Sequence, residues 1–135
     1  MGNYYNTYNA EEIIDWQDKK IGIVLLKHIL DNIYNPLITY SDLAYRANFA
    51  SGPRALDHHL GALSLFCKEN GMPLISAVVI NKRDGIPGNG FFTYFYGDIP
   101  EHKRYEKLDE EYQNIIKCRW ELQRMLNWLE HNYVA

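Results

Sequence analysis

Apolar residues recur at helical spacing along most of this chain, with a crowded branched run between two of the helical stretches. Ile13, Trp16, Ile21, Val24, Leu25, Ile29 and Ile33 fall mostly three or four residues apart, which predicts an N-terminal helical region over 10–34. Asn9 with Glu12 three positions on has the pattern of a capping box. Gly22 costs a helix about 1 kcal/mol against alanine, so a break between Asp18 and Gly22 is expected, and Asn35-Pro36 ends the segment. Thr39 then caps a short helix, with Asp42 three residues on and Leu43, Ala44 and Ala47 facing inward. Asn48 to Gly52 reads as a turn. Pro53 opens a longer helix, where its missing N–H costs nothing, and Leu56, Leu60, Leu63 and Phe66 or Cys67 form the apolar stripe. Gly71 and Pro73 stop it.

From Leu74 to Asn81 the residues are branched and apolar, including Val78, Val79 and Ile80, and they predict a buried strand. Asn81-Lys82-Arg83-Asp84-Gly85 has hairpin-turn chemistry. Ile86 to Gly90 carries Pro87 and too many permissive residues for regular strand, and Phe91 to Tyr96 is expected to resume as the second strand. A long helix follows, roughly Tyr105 to His131. Its seam is Leu108, Tyr112, Ile115, Leu122, Leu126, Leu129 and Tyr133, interrupted by Arg119. Asp109, Glu110 and Glu111 are read as an acidic start to that helix, favoured by its dipole.

Together these elements predict a single α+β domain: a winged helix-turn-helix with a β-hairpin wing, flanked by N-terminal and C-terminal helices. Its parts are a loose arm over 1–9, the helical region 10–34, a core over 38–96 and the helix 105–131. The C-terminal seam is expected to pack on its own domain, with a homodimer through that helix as the alternative.

A chain of 135 residues, 47% hydrophobic and 23% charged, is large enough to bury a core. Its longest apolar runs fall short of a membrane span, and Met1 to Asn6 lacks the regions of a signal peptide, so a cytoplasmic protein is expected. The net charge of −3 argues against dedicated non-specific nucleic-acid binding. The charge is uneven, however: residues 1–37 and 93–135 are each −2, whereas 38–92 are +1. Cys67 and Cys118 both fall in helical patterns and read as buried free thiols. The five histidines are too scattered for metal-ligand spacing, and no cofactor is expected.

Thr39-Tyr40-Ser41-Asp42-Leu43-Ala44, Arg54-Ala55-Leu56 through Gly61-Ala62-Leu63, Pro73-Leu74-Ile75, Asp84-Gly85 and Gly90-Phe91 follow one another. In this, Ile38 to Phe91 resembles the C-terminal DNA-binding domain of the alkylguanine-DNA alkyltransferases and their alkyltransferase-like relatives. In that family the corresponding elements are a Thr-Tyr-Gly-Glu-Leu-Ala helix start, an Arg-Ala-Val recognition helix, a Pro-Leu segment and a Gly-rich loop ending in Gly-Phe. The reactive Pro-Cys-His-Arg motif of the family is missing. Ile75-Ser76-Ala77-Val78-Val79 stands in its place, with neither the thiolate nor its activating histidine, so the resemblance implies DNA binding without alkyl transfer. The block from Gly71-Met72-Pro73-Leu74 to Gly85-Ile86-Pro87-Gly88-Asn89-Gly90-Phe91 is also similar to a group of small bacterial and phage proteins. Their pattern is Gly-Leu-Pro, Val-Val-Asn-Lys and Gly-Leu-Pro-Gly-x-Gly-Phe, and that likeness bears on fold more than on activity.

The candidate contacts follow from these placements. Arg54, in the first turn of the longer helix, suits bidentate guanine or phosphate recognition, with His58 and Lys68 further along. Lys82 and Arg83 at the turn suit phosphates, which position a protein without reading sequence. His58-His59 reads as a surface-plus-core pair rather than a catalytic base. Gly85, Gly88 and Gly90 are turn residues, since no Lys-Ser/Thr follows to make a phosphate loop. Tyr4, Tyr5 and Tyr8 form a candidate aromatic arm for a partner. No catalytic residue is expected. The leading expectation is a non-enzymatic protein of double-stranded DNA, a regulator on a phage or mobile element. The alternative is a protein-binding inhibitor of a host defence system, such as an anti-CRISPR factor, built on the same scaffold.

Overall fold

The computed structural model describes residues 14–133. The Asn9–Glu12 capping box and the arm carrying Tyr4, Tyr5 and Tyr8 lie outside that range. Helix α1 (Trp16–Asp31) begins on a different box: Asp15 accepts from the Asp18 N–H and Asp18 from the Asp15 N–H, each at 2.8 Å. The expected break at Gly22 does not occur. A Cβ there would come within 2.8 Å of Leu63 Cδ2 and 3.2 Å of Leu129 Cδ1, so glycine is what lets α1 approach its neighbours closely.

Strand β1 (Ile38–Thr39) leads directly into α2 (Tyr40–Arg46), whose first turn is capped by Thr39 Oγ1 accepting from the Asp42 N–H at 3.1 Å. After a turn with Asn48 at φ 51° and Gly52 at φ 86°, Pro53–Ala55 make one 3₁₀ turn that feeds α3 (Leu56–Glu69). A second 3₁₀ turn (Ile75–Val78) precedes β2 (Val79–Ile80). Three helices finish the chain: α4 (Asn89–Tyr96), α5 (Glu101–Lys117) and α6 (Arg119–Asn132).

The winged helix-turn-helix with a β-hairpin wing is therefore corrected. Among the described residues the fold is mostly helical, and its one sheet is a parallel pair with Ile38 opposite Val79 and Thr39 opposite Ile80. Half of the run expected as the first strand is a 3₁₀ turn, with only Val79–Ile80 in a strand, and the run expected as the second is α4. Thr93 and Tyr94 are consecutive and both exposed, while Phe91 and Phe92 are both buried. That is a helical pattern, which strand alternation cannot produce. Aromatic β propensity yields here to tertiary packing, because α4 lays Phe91 and Phe92 against Leu74, Ala77 and Leu108 in a small second core.

The expected C-terminal helix is two helices meeting at Cys118, whose backbone (φ −100°, ψ 19°) leaves the helical track. Arg119, which interrupts the apolar seam, starts the second of them. Glu101 opens α5, so Asp109, Glu110 and Glu111 lie in mid-helix, and Glu111 is buried. The main core joins Ile21, Leu25 and Ile29 of α1 to Leu56, Leu63 and Phe66 of α3 and to Leu122, Met125 and Leu129 of α6. The C-terminal seam is thus used within the chain itself. Among the described residues no helix is long and apolar enough to cross a membrane.

Candidate functional site

The parallel pair decides what meets at the surface. By setting Thr39 beside Ile80, it brings the turn that follows β2 alongside the start of α2. That turn is compact: the Asn81 N–H donates to the Ile86 carbonyl at 2.9 Å, and the Gly85 N–H to the Asn81 carbonyl at 2.8 Å. Gly85 sits at φ 73°, a conformation that favours glycine. The result is a groove of about 240 Å³ in which Thr39, Ser41, Arg54 and Lys82 converge with Asp57 and Gly88. Two cations and two hydroxyls offer donors of the kind that hold a phosphate.

Beside this groove lies a larger pocket of about 450 Å³. Helix α3 contributes Asp57, His58, Gly61, Ala62 and Leu65 to it; α4 contributes Gly90, Phe91, Tyr94 and Phe95. Ser76, from the segment that stands in place of the alkyltransferase reactive motif, lines it as well. Its hydroxyl is committed: Ser76 Oγ and Ser64 Oγ are 2.6 Å apart, and the Ser76 N–H donates to Ser64 Oγ at 3.0 Å.

Tyr40 and Asp57 line both depressions. The Tyr40 hydroxyl accepts from the Gly88 N–H at 3.1 Å. Desolvation raises the Tyr40 phenol above its ordinary value, the Gly88 N–H opposes that shift, and the Asp57 carboxylate adds to it. Desolvation also raises the Asp57 acid, opposed by its hydrogen bond with Tyr40. Tyr40 and Asp57 together form the wall between the depressions.

Helix α4 takes its place from α5. Arg104 Nη1 donates to Asn89 Oδ1 at 2.6 Å and its guanidinium lies 4.6 Å from the Phe92 ring centre, tying down the start of α4. The Tyr96 hydroxyl donates to Glu111 Oε2 at 3.1 Å and ties down its end. Burial raises the Glu111 acid, opposed by the Leu74 N–H and the Tyr96 hydroxyl that bond to it.

Of the residues singled out in the sequence, Arg54 and Lys82 share the groove and His58 lines the pocket. Arg83 is exposed on the same turn as Lys82. Lys68 is exposed near the far end of α3, about 20 Å along the helix from Arg54 at the ordinary rise per residue. His59 is buried, with Nδ1 2.6 Å from Asp18 Oδ1. Asp15, Asp18 and His59 bring their ligand atoms within 4.8 Å of one another, but these atoms are engaged in the α1 capping box and in the His59–Asp18 contact. Cys67 is buried and Cys118 half-buried, and both are free thiols.

Tyr40, Asp57, Phe91, Tyr94 and Phe95 were not anticipated as a site. The legible signal was the four-residue spacing of Phe91 from Phe95 and of Phe92 from Tyr96, which suits one helix face. Comparison of the chain with family models, curated proteins and solved structures gives no match. The chemistry of the two depressions is therefore the basis for a functional reading.

Proposed function

We propose that this is a non-enzymatic, cytoplasmic protein that binds double-stranded DNA through the Arg54–Lys82 groove. The observation that carries the reading is the convergence of those two cations, from distant parts of the sequence, beside an aromatic pocket of about 450 Å³. Cations with hydroxyls beside them suit phosphates, and aromatic walls suit an unstacked base. The resemblance of Ile38 to Phe91 to a DNA-binding domain points the same way. A binding rather than catalytic role is supported by the committed Ser76 hydroxyl and by the buried Cys67, whose thiol is pushed up to about 12 by desolvation.

The net charge of −3 makes the groove local rather than part of a basic face, so with two cations on phosphates binding should fall with a log–log salt slope of only about −2. The test is fluorescence anisotropy with random-sequence duplex at about 50 mM salt, repeated with Arg54→Ala/Lys82→Ala. Salt-sensitive binding lost in the double variant supports the reading. No binding at about 100 μM protein, past the usual non-specific range, sinks it.

A second reading, a protein-binding inhibitor of a host defence system, is favoured by exposed aromatics away from the groove. Tyr45 is 87% exposed on α2, and Trp120 is 69% exposed on α6 with the Arg119 guanidinium 5.0 Å from its ring centre. Aromatics and arginine of this kind anchor protein interfaces.

A further inference from the structure

Helices α5 and α6 spend their apolar seam inside the chain, and the side they turn outward has a pattern of its own. At Cys118 the dihedrals depart from helix but the hydrogen-bond ladder holds. The Cys118 N–H donates to the Asn114 carbonyl at 2.8 Å, and the Leu122 N–H to the Cys118 carbonyl at 2.9 Å. The two helices therefore stay in phase as one arm, about 48 Å long at the ordinary rise per residue. Along its outer side Tyr105, Asp109, Gln113, Ile116 and Trp120 fall three or four residues apart, which puts them on one stripe. All are exposed except the half-buried Ile116, and Tyr105 and Trp120 are the large rings among them, 52% and 69% exposed.

The stripe is complementary to itself when reversed. Glu101 and Glu106 flank Tyr105 near one end, and Arg119 and Arg124 flank Trp120 near the other. Tyr105 and Trp120 stand almost equally far from Gln113 between them. Glu101 and Arg119 are separated by five full helical turns, as are Glu106 and Arg124, so each arginine lies on the same flank as its glutamate. A two-fold axis at Gln113 sets two arms antiparallel and keeps each flank facing its own copy. Trp120 of one copy then meets Tyr105 of the other, with Arg119 towards Glu101 and Arg124 towards Glu106. The Arg119 guanidinium already lies 5.0 Å from the Trp120 ring centre, at the edge of that contact. Lys103 pairs with Glu106 at 3.2 Å, but both are exposed, and such a pair is weak enough to exchange partners.

We propose that this stripe is the interface of a homodimer in which the same surface of each copy meets the other. The inference goes beyond the DNA reading and does not rest on it, because the stripe shares no residue with the Arg54–Lys82 groove. Its argument is charge complementarity between the two halves of one arm, and its occupant is a second copy of this chain.

The experiment is sedimentation equilibrium of the full chain without DNA, from about 1 to about 300 μM, the range of a modest dimer affinity. The mass is expected to rise from 15.9 kDa towards twice that value. Trp120→Ala should weaken association by about tenfold or more, as loss of an interface anchor does. Arg119→Glu/Arg124→Glu and Glu101→Arg/Glu106→Arg should each be monomeric. An equimolar mixture of the two should dimerise again, which misfolded variants cannot do. Gln113→Cys, at the axis, should form a disulfide-linked dimer with oxidised glutathione, whereas Asn114→Cys, turned about 100° away, should stay at the level of the unsubstituted chain. A mass of 15.9 kDa at every concentration overturns the proposal, and leaves Trp120 to a partner of another kind. A dimer that Trp120→Ala and the charge reversals leave unchanged overturns it as well, since that dimer uses another surface. So does a mixture of the reversed variants that stays monomeric while circular dichroism shows both folded.

Discussion

The Tyr96 hydroxyl and the Leu74 N–H donate to opposite oxygens of the Glu111 carboxylate, each at 3.1 Å. One buried side chain of α5 therefore fastens the end of α4 and the entry to the 3₁₀ turn that carries Ser76. Glu111→Ala leaves a buried N–H without its acceptor, which costs about 1–3 kcal/mol. The loss should appear in urea unfolding, and binding in the aromatic pocket should weaken more than binding in the groove.

Glu111 and Asp18 are both raised above the ordinary carboxylate range by burial. The folded chain therefore holds protons that the unfolded chain releases as pH climbs from that range. Their contribution to stability is fully present below the unfolded values and is lost as pH rises through the folded ones. The unfolding free energy should increase on going from about pH 7 to pH 5. In Glu111→Gln the increase should be smaller. A stability that only declines over that interval would contradict the assignment.

His59 and Asp18 form a buried contact between α3 and α1, 2.6 Å long. His59→Ala leaves the Asp18 carboxylate buried with one partner fewer, and removal of one member of such a pair typically costs about 3–5 kcal/mol. A double-mutant cycle with Asp18→Asn, read by thermal unfolding, should show strong coupling between the two.

Gly22 faces Leu63 and Leu129 with no room for a larger side chain. Gly22→Val should destabilise by about 1–3 kcal/mol through overpacking. Gly22→Ala should lie closer to neutral, because the gain in helix propensity, about 1 kcal/mol, works against the crowding.

Thiol labelling separates the two cysteines. Only the thiolate reacts, and Cys67 is buried and pushed up to about 12, so at about pH 8 a maleimide should modify Cys118 first. Cys67 should react only as the chain unfolds. Labelling of Cys67 at the rate of Cys118 in folded protein would contradict its place in the core.

Local signals at helix ends were readable from sequence. Thr39 caps α2, Pro53 opens the turn into α3 and Gly71, at φ 72°, follows its end. Each of these depends on the chemistry of one residue and its immediate neighbours. The run Phe91 to Tyr96 was misread because aromatic side chains suit strands and short helices alike. Its state is set by Leu74, Ala77 and Leu108, which are distant in sequence. The same dependence hid the site: Arg54 and Lys82 could be named singly, but their meeting depends on the pairing of β1 with β2. Asp57 carried no sequence signal, since its role comes from facing Tyr40.

That pairing closes a loop of about forty residues with only two residues on each strand, and contacts so distant in sequence are reached late in folding because the closure entropy comes first. The groove should accordingly be among the last parts of the molecule to assemble and among the first to come apart. Amides of the β1–β2 pair should therefore be weakly protected from hydrogen exchange in the free protein, and a ligand seated in the groove would raise that protection by acting as a rivet across the loop.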